Sequence, residues 1–593
     1  MRTAACPLLP KKRASLSAPI ALGDGGYCIY GVKAGKPAPR GEPSSMTQTL
    51  EQYRAATGPL PETIKRWHLH GAGLESLREA TVDLPAYGPE ELLVRHDACG
   101  ICFSDIKIIN LGALHPRLSG RDMDAHPVVM GHEVALTVVG VGDRLTGQFQ
   151  VGQRFIVQAD VYYKGANPAY GYQLDGGMAQ YGLVTKEVLQ GDEGCYLLPL
   201  KDSTGYVEAA LVEPWACVVA AYEYPNYRAG LMDKGRLLVI HINPALNGDP
   251  AALCVPGHQP ASVVTVGDVT GADFPRLRQE ETGGRGFDDI LVYGTPDPED
   301  LARIMGCLGP RGILNLVRDR PFLGTVPVDI GRVHYEQHLF ISTDDPANLG
   351  GAYARNTRKD LLPGGKVWLA GAGGPMGQMH LQRAVMLDAP PALVVVSDRH
   401  EDRLKRIQER FGGLMQERGI EIVLLNARAG GDPAAYGPFD DILSMVPSAD
   451  LVAQSIPHLA ENGVYNIFAG VAKGVTADLD LGTILAKNQR LIGTSGSSIA
   501  DLRHTLGLVE SGDLSTNASL AAIGGLGAFR DGLAAVKSGK YPGKTVIFPH
   551  IADLPLLSVE ELKTQMPNVY AKLQGGAFWT QAAEDELLRE RLG

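Results

Sequence analysis

A thiol, an imidazole and two carboxylates lie in three short segments of the chain, and all of these groups bind metal ions. The segments are CGICFSDIK, GHE and LVEPWACVV, which begin at Cys99, Gly131 and Leu211. Cys102, His132, Glu133 and Glu213 would each be ordinary alone. Together they form a donor set suited to zinc with an open coordination position, as in catalytic zinc sites.

Two further groups follow the cysteine closely enough to act beside a metal. Ser104 and Asp105 lie two and three residues after Cys102. A hydroxyl at this position can pass a proton, and a carboxylate can orient a ligating histidine. The sequence CGIC also fits the Cys-x-x-C motif of thioredoxin-like proteins, but it follows a strand-like segment instead of starting a helix. We interpret Cys99 as a packed thiol and keep a redox site as the alternative.

These groups must be positioned by two kinds of structure. From about residue 60 to 230, short β-branched runs alternate with glycine turns, which predicts a β-rich, barrel-like domain. After KGRLLVIHI, strands alternate with helical stretches to about residue 510, which indicates βαβ units and a parallel sheet. The last eighty residues return to mixed helix and strand. The fold class is therefore α/β, with more than one domain.

A dinucleotide-binding motif begins the later part of the βαβ region. GGKVWLAGAGGPMGQMHLQRAVML gives a strand, a glycine turn and a helix, and LVVVSD gives a second strand that ends 21 residues after Gly377. The turn follows an A-x-G-x-x-G pattern, which lets the backbone approach a pyrophosphate at a helix N-terminus. The predicted cofactor-binding residues are Gly371, Ala372, Gly373, Gly374, Pro375, Met376, Gly377, Asp398 and Arg399.

The βαβ region also contains an internal repeat. FDDILVYG at 287–294 matches FDDILSMV at 439–446, and two further strand-like matches follow in the same order at an offset of 151. The first copy lacks a glycine turn, and its first crossover is shorter than that of the second. We predict two copies of one half-sheet unit, of which the first is a scaffold that does not bind the cofactor.

Length and composition limit the class of protein. The chain has 593 residues, a net charge of −11 and a pI near 5.8. Such length predicts several domains, and the acidity argues against nucleic-acid or anionic-membrane partners. The sequence contains no apolar run of about 18 residues, so no membrane span is predicted. Eight irregularly spaced cysteines favour a reducing compartment, and we expect a cytoplasmic protein.

The first 45 residues differ in composition from the rest. They contain seven basic and two acidic residues, show no helical periodicity and end in a Pro/Ser-rich stretch before Met46. A basic leader could be a transit peptide. We favour a disordered tail, or an upstream start codon with Met46 as the true beginning.

The motifs HPVVMGHE, EPWACVVAAY, AGAGGPMG and GTSGSS resemble the zinc-dependent medium-chain dehydrogenases, and most of all their sorbitol dehydrogenase and L-sorbose-1-phosphate reductase branch. The resemblance implies a GroES-like catalytic domain and a Rossmann domain. It implies that Cys102 and His132 hold a catalytic zinc, with Glu133 or Glu213 completing the ligand set. Ser104 would connect the substrate hydroxyl to a proton relay, and the acid after the second strand would favour NAD over NADP.

The chain departs from this family at three places. The lobe that carries four cysteines for a structural zinc in many relatives has none at 158–177, so we predict one zinc ion. Lys107 stands where alcohol dehydrogenases often have a relay histidine, and it could end the relay, attract an anionic substrate or be merely exposed. The repeated half-sheet has no counterpart in the usual pattern. It could occupy the edge through which relatives associate, as an internal pseudo-dimer, and a homo-oligomer stays open.

We therefore predict a zinc-dependent oxidoreductase that transfers hydride between NAD(H) and a polyol or sugar, including sugar phosphates. The alternatives are a metal-free NAD(P)H reductase of the same fold and a non-catalytic nucleotide-binding sensor or scaffold. The predicted parts are a disordered leader and linker (1–59), the catalytic domain (60–232), the degenerate copy (233–346), the NAD-binding domain (347–510) and a segment returning to the catalytic domain (511–593).

Overall fold

The computed structural model describes residues 49–592 apart from 225, 257 and 495. The leader up to residue 48, including its predicted disorder and the possible start at Met46, lies outside the described residues. In the described part, no helix is both long and apolar enough to cross a membrane. Residues 50–55 correct the prediction of a disordered segment up to 59, because they form helix α1 (Leu50–Ala55), whose first turn is capped by Thr49.

A β-rich domain is built from residues 60–220 together with the C-terminal segment. Its strands are β1 (Thr63–Leu69), β2 (Leu77–Asp83), β3 (Leu92–Ile101), β4 (Glu133–Val141), β5 (Arg154–Val157), β6 (Tyr181–Val184) and β7 (Leu197–Pro199). Its helices are α2 (Phe103–Leu111), α3 (Lys186–Leu189), α4 (Tyr206–Ala210) and α5 (Val212–Ala220). All ten residues of β3 are buried, and this strand is the centre of the domain.

A first parallel sheet follows, in the strand order β13-β11-β10-β8-β9. Its strands are β8 (Arg236–His241), β9 (Ser262–Val266), β10 (Phe287–Tyr293), β11 (Leu308–Val317) and β13 (Leu339–Thr343), with β12 (Val326–Asp329) beside it. Its helices are α6 (Phe274–Thr282), α7 (Pro298–Met305), α8 (Ile330–Glu336) and α9 (Leu349–Ala354). Between β8 and β9, the described residues form only a short 3₁₀ turn at Pro250–Leu253.

A second parallel sheet has the order β16-β15-β14-β17-β18-β20. Its strands are β14 (Lys366–Ala370), β15 (Leu393–Asp398), β16 (Glu421–Asn426), β17 (Phe439–Ser444), β18 (Leu459–Ile467) and β20 (Arg490–Gly493), with β19 (Thr476–Leu479) beside it. Its helices are α10 (Pro375–Met386), α11 (Glu401–Glu417), α12 (Ala449–Ser455), α13 (Leu481–Ala486) and α14 (Ile499–Ser511).

The C-terminal segment returns to the β-rich domain. It contains β21 (Leu520–Gly525), α15 (Phe529–Ser538), β22 (Lys544–Phe548), β23 (Leu557–Ser558), α16 (Leu562–Gln565), α17 (Pro567–Tyr570) and α18 (Gln581–Leu592). β22 pairs antiparallel with β3, which gives the mixed sheet β23-β21-β22-β3-β4-β5-β7, and β6 also pairs with β3. The centre of the domain is therefore completed by residues from the far end of the chain.

The two parallel sheets share local details at the repeated FDD sequence. Arg228 donates to Asp289 at 2.9 Å, and Arg358 donates to Asp441 at 2.8 Å. In both sheets the preceding aspartate accepts a backbone N–H from the start of the neighbouring strand, at 2.9 Å from Arg236 and 2.8 Å from Lys366. In each sheet, the two adjacent aspartates therefore bind the segment that leads into the first strand. This is a physical reason for the FDD sequence to occur twice. That the sheets are two copies of one unit stays a prediction.

The two sheets also meet through a short antiparallel strand pair and a shared apolar core. β12 pairs antiparallel with β19, and Val326 faces Leu479 while Asp329 faces Thr476. The two strands lie 150 residues apart in the sequence, so Thr476 corresponds to Val326 and Leu479 corresponds to Asp329. Val326 thus pairs with the residue that corresponds to Asp329, and Asp329 pairs with the residue that corresponds to Val326, as in an isologous interface. One apolar core contains Leu314 and Phe340 of the first sheet with Tyr465 and Leu491 of the second.

Candidate functional site

Cys102, His132 and Glu133 come together at the end of the central strand. Potential ligand atoms of the three side chains all lie within 4.8 Å of one another, and they form a metal-compatible cluster within the described residues. Cys102 follows β3 directly and stands at the N-cap of α2. Glu133 begins β4, and it faces Gly100 of β3 in the antiparallel ladder. The turn from β3 into α2 and the start of β4 therefore bring the three groups to one place.

Asp105 and Ser104 lie on either side of the imidazole. Asp105 Oδ2 accepts the backbone N–H of Cys102 at 2.9 Å, and its Oδ1 lies 3.6 Å from His132 Nδ1. Ser104 Oγ lies 3.1 Å from the other ring nitrogen, Nε2. Both carboxylate and imidazole are buried. The first turn of α2 thus places Asp105 and Ser104 beside the two ring nitrogens of His132. That the carboxylate orients the imidazole and the hydroxyl passes a proton stays a prediction.

Glu133 forms a buried ion pair with a residue that the sequence analysis missed. Lys544 Nζ donates to Glu133 Oε1 at 2.5 Å and to the carbonyl of Ile101 at 3.1 Å. Burial opposes the charge on Lys544, but the carboxylate outweighs it and raises the pKa of the lysine. β22 and β4 flank β3, so the pair spans the central strand. The only sequence signal was a lysine at the head of the apolar strand KTVIF.

The buried polar atoms of this cluster are not all satisfied. Glu133 Oε2, His132 Nδ1 and Asp105 Oδ1 have no hydrogen-bond partner in the part of the chain that the structure describes. An unpaired buried carboxylate oxygen is costly unless a cation or donor meets it. A thiolate, an imidazole and a carboxylate oxygen that is free to coordinate fit a zinc ion with one open position. The residues present therefore fit the predicted metal.

Glu213 lies near the cluster without belonging to it. It is the second residue of α5 and is partly exposed. Its pKa is raised to about 7, chiefly by burial and also by the charge of Glu133, while the attraction of His132 and Lys544 opposes the rise. Glu213 is therefore within electrostatic reach of the predicted ligands, while the group of converging ligand atoms contains only Cys102, His132 and Glu133.

Cys99 differs from Cys102 in its surroundings. It is completely buried on β3, and burial raises the pKa of its thiol well above the usual value. Both cysteines are free. Since the thiolate is the reactive form of cysteine, Cys99 is an unreactive packed thiol.

The predicted glycine turn connects β14 to α10. Gly371 has φ +75°, and a Cβ at Gly377 would lie 2.3 Å from the Cα of Ala372, so both positions need glycine. Asp398 ends β15 and accepts the N–H of Gly373 at 2.9 Å. Gly374 caps the helix, Pro375 and Met376 begin it, and Arg399 is exposed just after the strand. The structure thus brings these predicted cofactor residues together at the carboxyl edge of the second sheet.

The β-rich domain contacts the second sheet close to both groups. Gln158 donates to the carbonyl of Ser497 at 2.8 Å, and Tyr222 Oη lies 2.8 Å from Nδ1 of His380 on α10. Glu213 and Tyr222 belong to one continuous stretch of α5 and its C-terminal turn. The metal-compatible cluster and the glycine turn therefore face a shared domain boundary.

Comparison with known proteins agrees with this architecture. Residues 88–191 match the family model of the alcohol dehydrogenase GroES-like domain. The chain is 24% identical to mannitol-1-phosphate 5-dehydrogenase of Aliivibrio fischeri, over 87% of this chain and 96% of the relative. That alignment is too long to fit in the segments outside residues 233–346, so the likeness extends into the first sheet.

A second relative is L-sorbose 1-phosphate reductase of Klebsiella pneumoniae, which is 28% identical over 46% of this chain and 73% of the relative. Among solved structures, 2R,3R-butanediol dehydrogenase from Bacillus subtilis matches with a TM-score of 0.48 and 16% identity, over 82% of this chain and 99% of that one. So low a score carries no argument by itself. The predicted fold class is confirmed by the family match and the parallel sheets.

Proposed function

We propose a function for a chain that belongs to the medium-chain dehydrogenase/reductase superfamily: zinc-dependent transfer of hydride between NAD(H) and a secondary alcohol or ketone of a polyol or sugar, including phosphorylated ones. The observation that carries it is the convergence of Cys102, His132 and Glu133, with a carboxylate oxygen unpaired among the described residues, in a chain that also contains a dinucleotide-type glycine turn. The names of the two relatives, both enzymes of sugar or polyol phosphates, support the substrate class.

Each residue at the site has a defined task in this reaction. When bound, zinc would act as a Lewis acid on the substrate oxygen, and the nicotinamide would exchange hydride with the neighbouring carbon. Cys102, His132 and Glu133 would hold the metal, and Asp105 orients the imidazole. Ser104 Oγ, beside Nε2 of His132, is placed to accept the proton of the substrate hydroxyl.

Glu213, the second carboxylate near the site, is an alternative metal ligand in this proposal. A pKa near 7 lets Glu213 be neutral or charged under ordinary conditions. Glu213 could therefore replace Glu133 at the metal during turnover, while Lys544 keeps Glu133 paired. Lys107 is exposed on the same helix as Ser104, and we assign it to substrate binding.

The cofactor of this proposal is NAD. Asp398 closes the glycine turn through Gly373 and stands where the adenosine ribose of a dinucleotide lies in this fold. A carboxylate accepts hydrogen bonds from ribose hydroxyls and repels a 2′-phosphate. NAD should therefore be used in preference to NADP.

The first sheet serves as an internal partner for the second in this proposal. The symmetric β12–β19 pairing and the shared apolar core cover the edges at β13 and β20. Arg490 of β20 is buried and donates to the carbonyl of Arg355, just after α9. The contact between the two sheets of one chain would thus replace an interface that other proteins form between two subunits.

Metal analysis and a substrate screen test the function. The purified chain should contain about one zinc ion and should reduce NAD, measured by NADH absorbance, with at least one polyol or polyol phosphate. NADP should be a poorer cofactor in the same screen. Turnover in fully metal-free protein would favour the metal-free reductase, and cofactor binding without turnover of any substrate would favour the sensor.

A further inference from the structure

Arg117 and Asp160 form an ion pair at the surface of the β-rich domain, near the metal-compatible cluster. Arg117 Nη1 lies 2.6 Å from Asp160 Oδ1, and the two side chains are 35% and 23% exposed. Arg117 lies in the short 3₁₀ helix Pro116–Leu118, and Asp160 follows the end of β5 by three residues. Two separate segments therefore bring the opposite charges together at a place that solvent and ligands can reach.

One aromatic ring connects this ion pair to the cluster. The centroid of the Tyr172 ring lies 5.7 Å from that of His132, within the range of ring contacts. The guanidinium carbon of Arg117 lies 5.0 Å from the centroid of the same Tyr172 ring. Tyr172 is buried, so its position is fixed by packing. Arg117 and the proposed zinc ligand His132 therefore contact one shared side chain.

The ion pair also borders the second sheet. A Cβ at Gly496 would lie 3.3 Å from Asp160 Oδ2, and Gln158, two residues before Asp160, donates to the carbonyl of Ser497 at 2.8 Å. Gly496 and Ser497 follow the carboxyl end of β20. Ligands of open α/β sheets bind outside the carboxyl ends of the strands. A substrate that reacts between the cluster and this edge is therefore within reach of the ion pair.

Most hydrogen-bonding groups of this ion pair are unused. Apart from their mutual contact, neither side chain makes a hydrogen bond or a second ion pair with the residues that the structure describes. A guanidinium has several N–H donors in one plane and a carboxylate has several acceptor positions, so one contact leaves most of them for a ligand. The pair carries no net charge, and Asp160 would repel an anion placed beside it. It therefore suits a neutral group that both donates and accepts hydrogen bonds.

We infer that Arg117 and Asp160 bind hydroxyl groups of the polyol or sugar substrate, on carbons remote from the one that reacts. A hydroxyl accepts a hydrogen bond from the guanidinium and donates one to the carboxylate, and neighbouring hydroxyls can meet both groups at once. The phosphate of an esterified substrate lies elsewhere, away from Asp160. The inference rests on the proposed function and assigns to it the residues that prefer a polyhydroxy chain over a simple alcohol.

Steady-state kinetics with mannitol, mannitol 1-phosphate and 2,3-butanediol test this on the zinc-loaded, full-length chain. We expect Arg117→Met and Asp160→Asn each to raise KM for mannitol and for its phosphate by the same factor, about tenfold to a hundredfold, because a charged hydrogen-bond partner is lost. The preference for either compound over 2,3-butanediol, which lacks the remote hydroxyls, should fall by that factor. Arg117→Lys, which keeps a cation beside Asp160, should recover part of the loss. A rise confined to the phosphate ester would mean that the pair binds phosphate, and the inference would be wrong.

A double variant separates substrate binding from a structural role. Arg117→Met combined with Asp160→Asn leaves no uncompensated charge, so a merely structural defect of the single variants should be recovered. Loss of hydroxyl binding should instead persist in the double variant, and parent values there would overturn the inference. Arg144→Met is the matched control, because Arg144 forms an exposed ion pair with Glu90 at 3.0 Å elsewhere on the same domain, and it should keep the parent's preference.

Calorimetric titration of mannitol into the NADH-loaded chain gives a readout independent of turnover, since alcohol and cofactor are then both reduced. The parent should bind mannitol, and the single and double variants should weaken this binding by about tenfold or more. If the parent turns over polyols but the variants alter neither mannitol binding nor substrate preference, the inference is wrong while the proposed function stands. If the parent binds mannitol through this pair but turns over no polyol, the inference stands and the proposed function is wrong. If it neither binds nor turns over any polyol, both are wrong.

Discussion

At the scale of single residues, the site depends on a thiolate that only one cysteine can supply. We expect Cys102→Ser to lose bound zinc and activity together, because a serine hydroxyl is a poor ligand for zinc and the remaining two ligands would hold the metal weakly. Elemental analysis and NADH absorbance measure the two losses. Cys195→Ser, at an exposed thiol far from the cluster, should retain both. A Cys102→Ser protein with full zinc content would contradict the ligand assignment.

The Lys544–Glu133 pair gives a second prediction at this scale. Removing one partner of a buried ion pair leaves the other charge uncompensated, and this destabilises by about 3 kcal/mol or more. Lys544→Met should therefore lower the unfolding midpoint of the metal-free protein. Lys544→Met combined with Glu133→Gln should recover most of the loss, because no charge is then left unpaired. Equal midpoints for the parent and the single variant would show that the pair has no structural role.

The sequence predicted those site residues that lie close together in the chain better than those that strand pairing brings in from distant segments. Cys102, Ser104 and Asp105 lie within one helical turn, so their proximity follows from the chain itself, and the resemblance supplied His132 and Glu133. Lys544 could not be predicted, because it meets Glu133 only through the pairing of β22 with β3.

At the scale of elements, the C-terminal helix α18 is docked through a buried acid. Glu584 is 1% exposed, and its carboxylate accepts the backbone N–H groups of Tyr206 at 2.6 Å and Val207 at 2.8 Å, at the start of α4. Burial raises its pKa to about 7 from an ordinary value of 4.5, although these two bonds oppose the shift. The folded protein therefore holds a proton on Glu584 that the unfolded chain loses at lower pH.

This shift predicts a pH dependence. A group whose pKa is raised by folding stabilises the folded state at low pH, and that contribution is lost as pH rises from about 4.5 to about 7. The loss amounts to about 3 kcal/mol at most. Glu584→Gln should remove it, so its unfolding midpoint should fall less than the parent's between pH 5 and pH 7.5. Glu590→Gln on the same helix is the control, and parallel curves for parent and Glu584→Gln would contradict the expectation.

Strand and helix positions in the parallel sheets were largely predictable, whereas the helix at the start of the described residues was not. LVVVSD is a mostly apolar run and forms β15, while FDDIL places two aspartates before its apolar residues and forms the start of β10 and β17; turn residues flank all three strands. Helix α1 has only six residues, and the capping-box pair Thr49 and Gln52 is a weak local signal beside the basic leader. Its stability comes from Tyr53, which is buried against the β-rich domain and receives a cation–π contact from Arg95.

At the scale of the whole molecule, two similar sheets raise the question of how many cofactors one chain binds. The second sheet has α10 directly after its glycine turn, and the N-terminus of this twelve-residue helix can face a pyrophosphate. In the first sheet, only the 3₁₀ turn Pro250–Leu253 lies between β8 and β9 in the described residues. The corresponding strands are thus present in both sheets, but the element that binds phosphate is present in one.

We therefore expect one NAD per chain, measured by isothermal titration calorimetry on the full-length protein. Gly377→Val should abolish this binding, because any Cβ at this position meets the backbone of Ala372 at 2.3 Å and would displace the turn from the helix. Gly248→Val, in the corresponding connection of the first sheet, should retain one NAD even if it lowers stability. A stoichiometry of two, or residual binding of one NAD by folded Gly377→Val, would mean that the first sheet binds the cofactor and is not only a structural partner of the second.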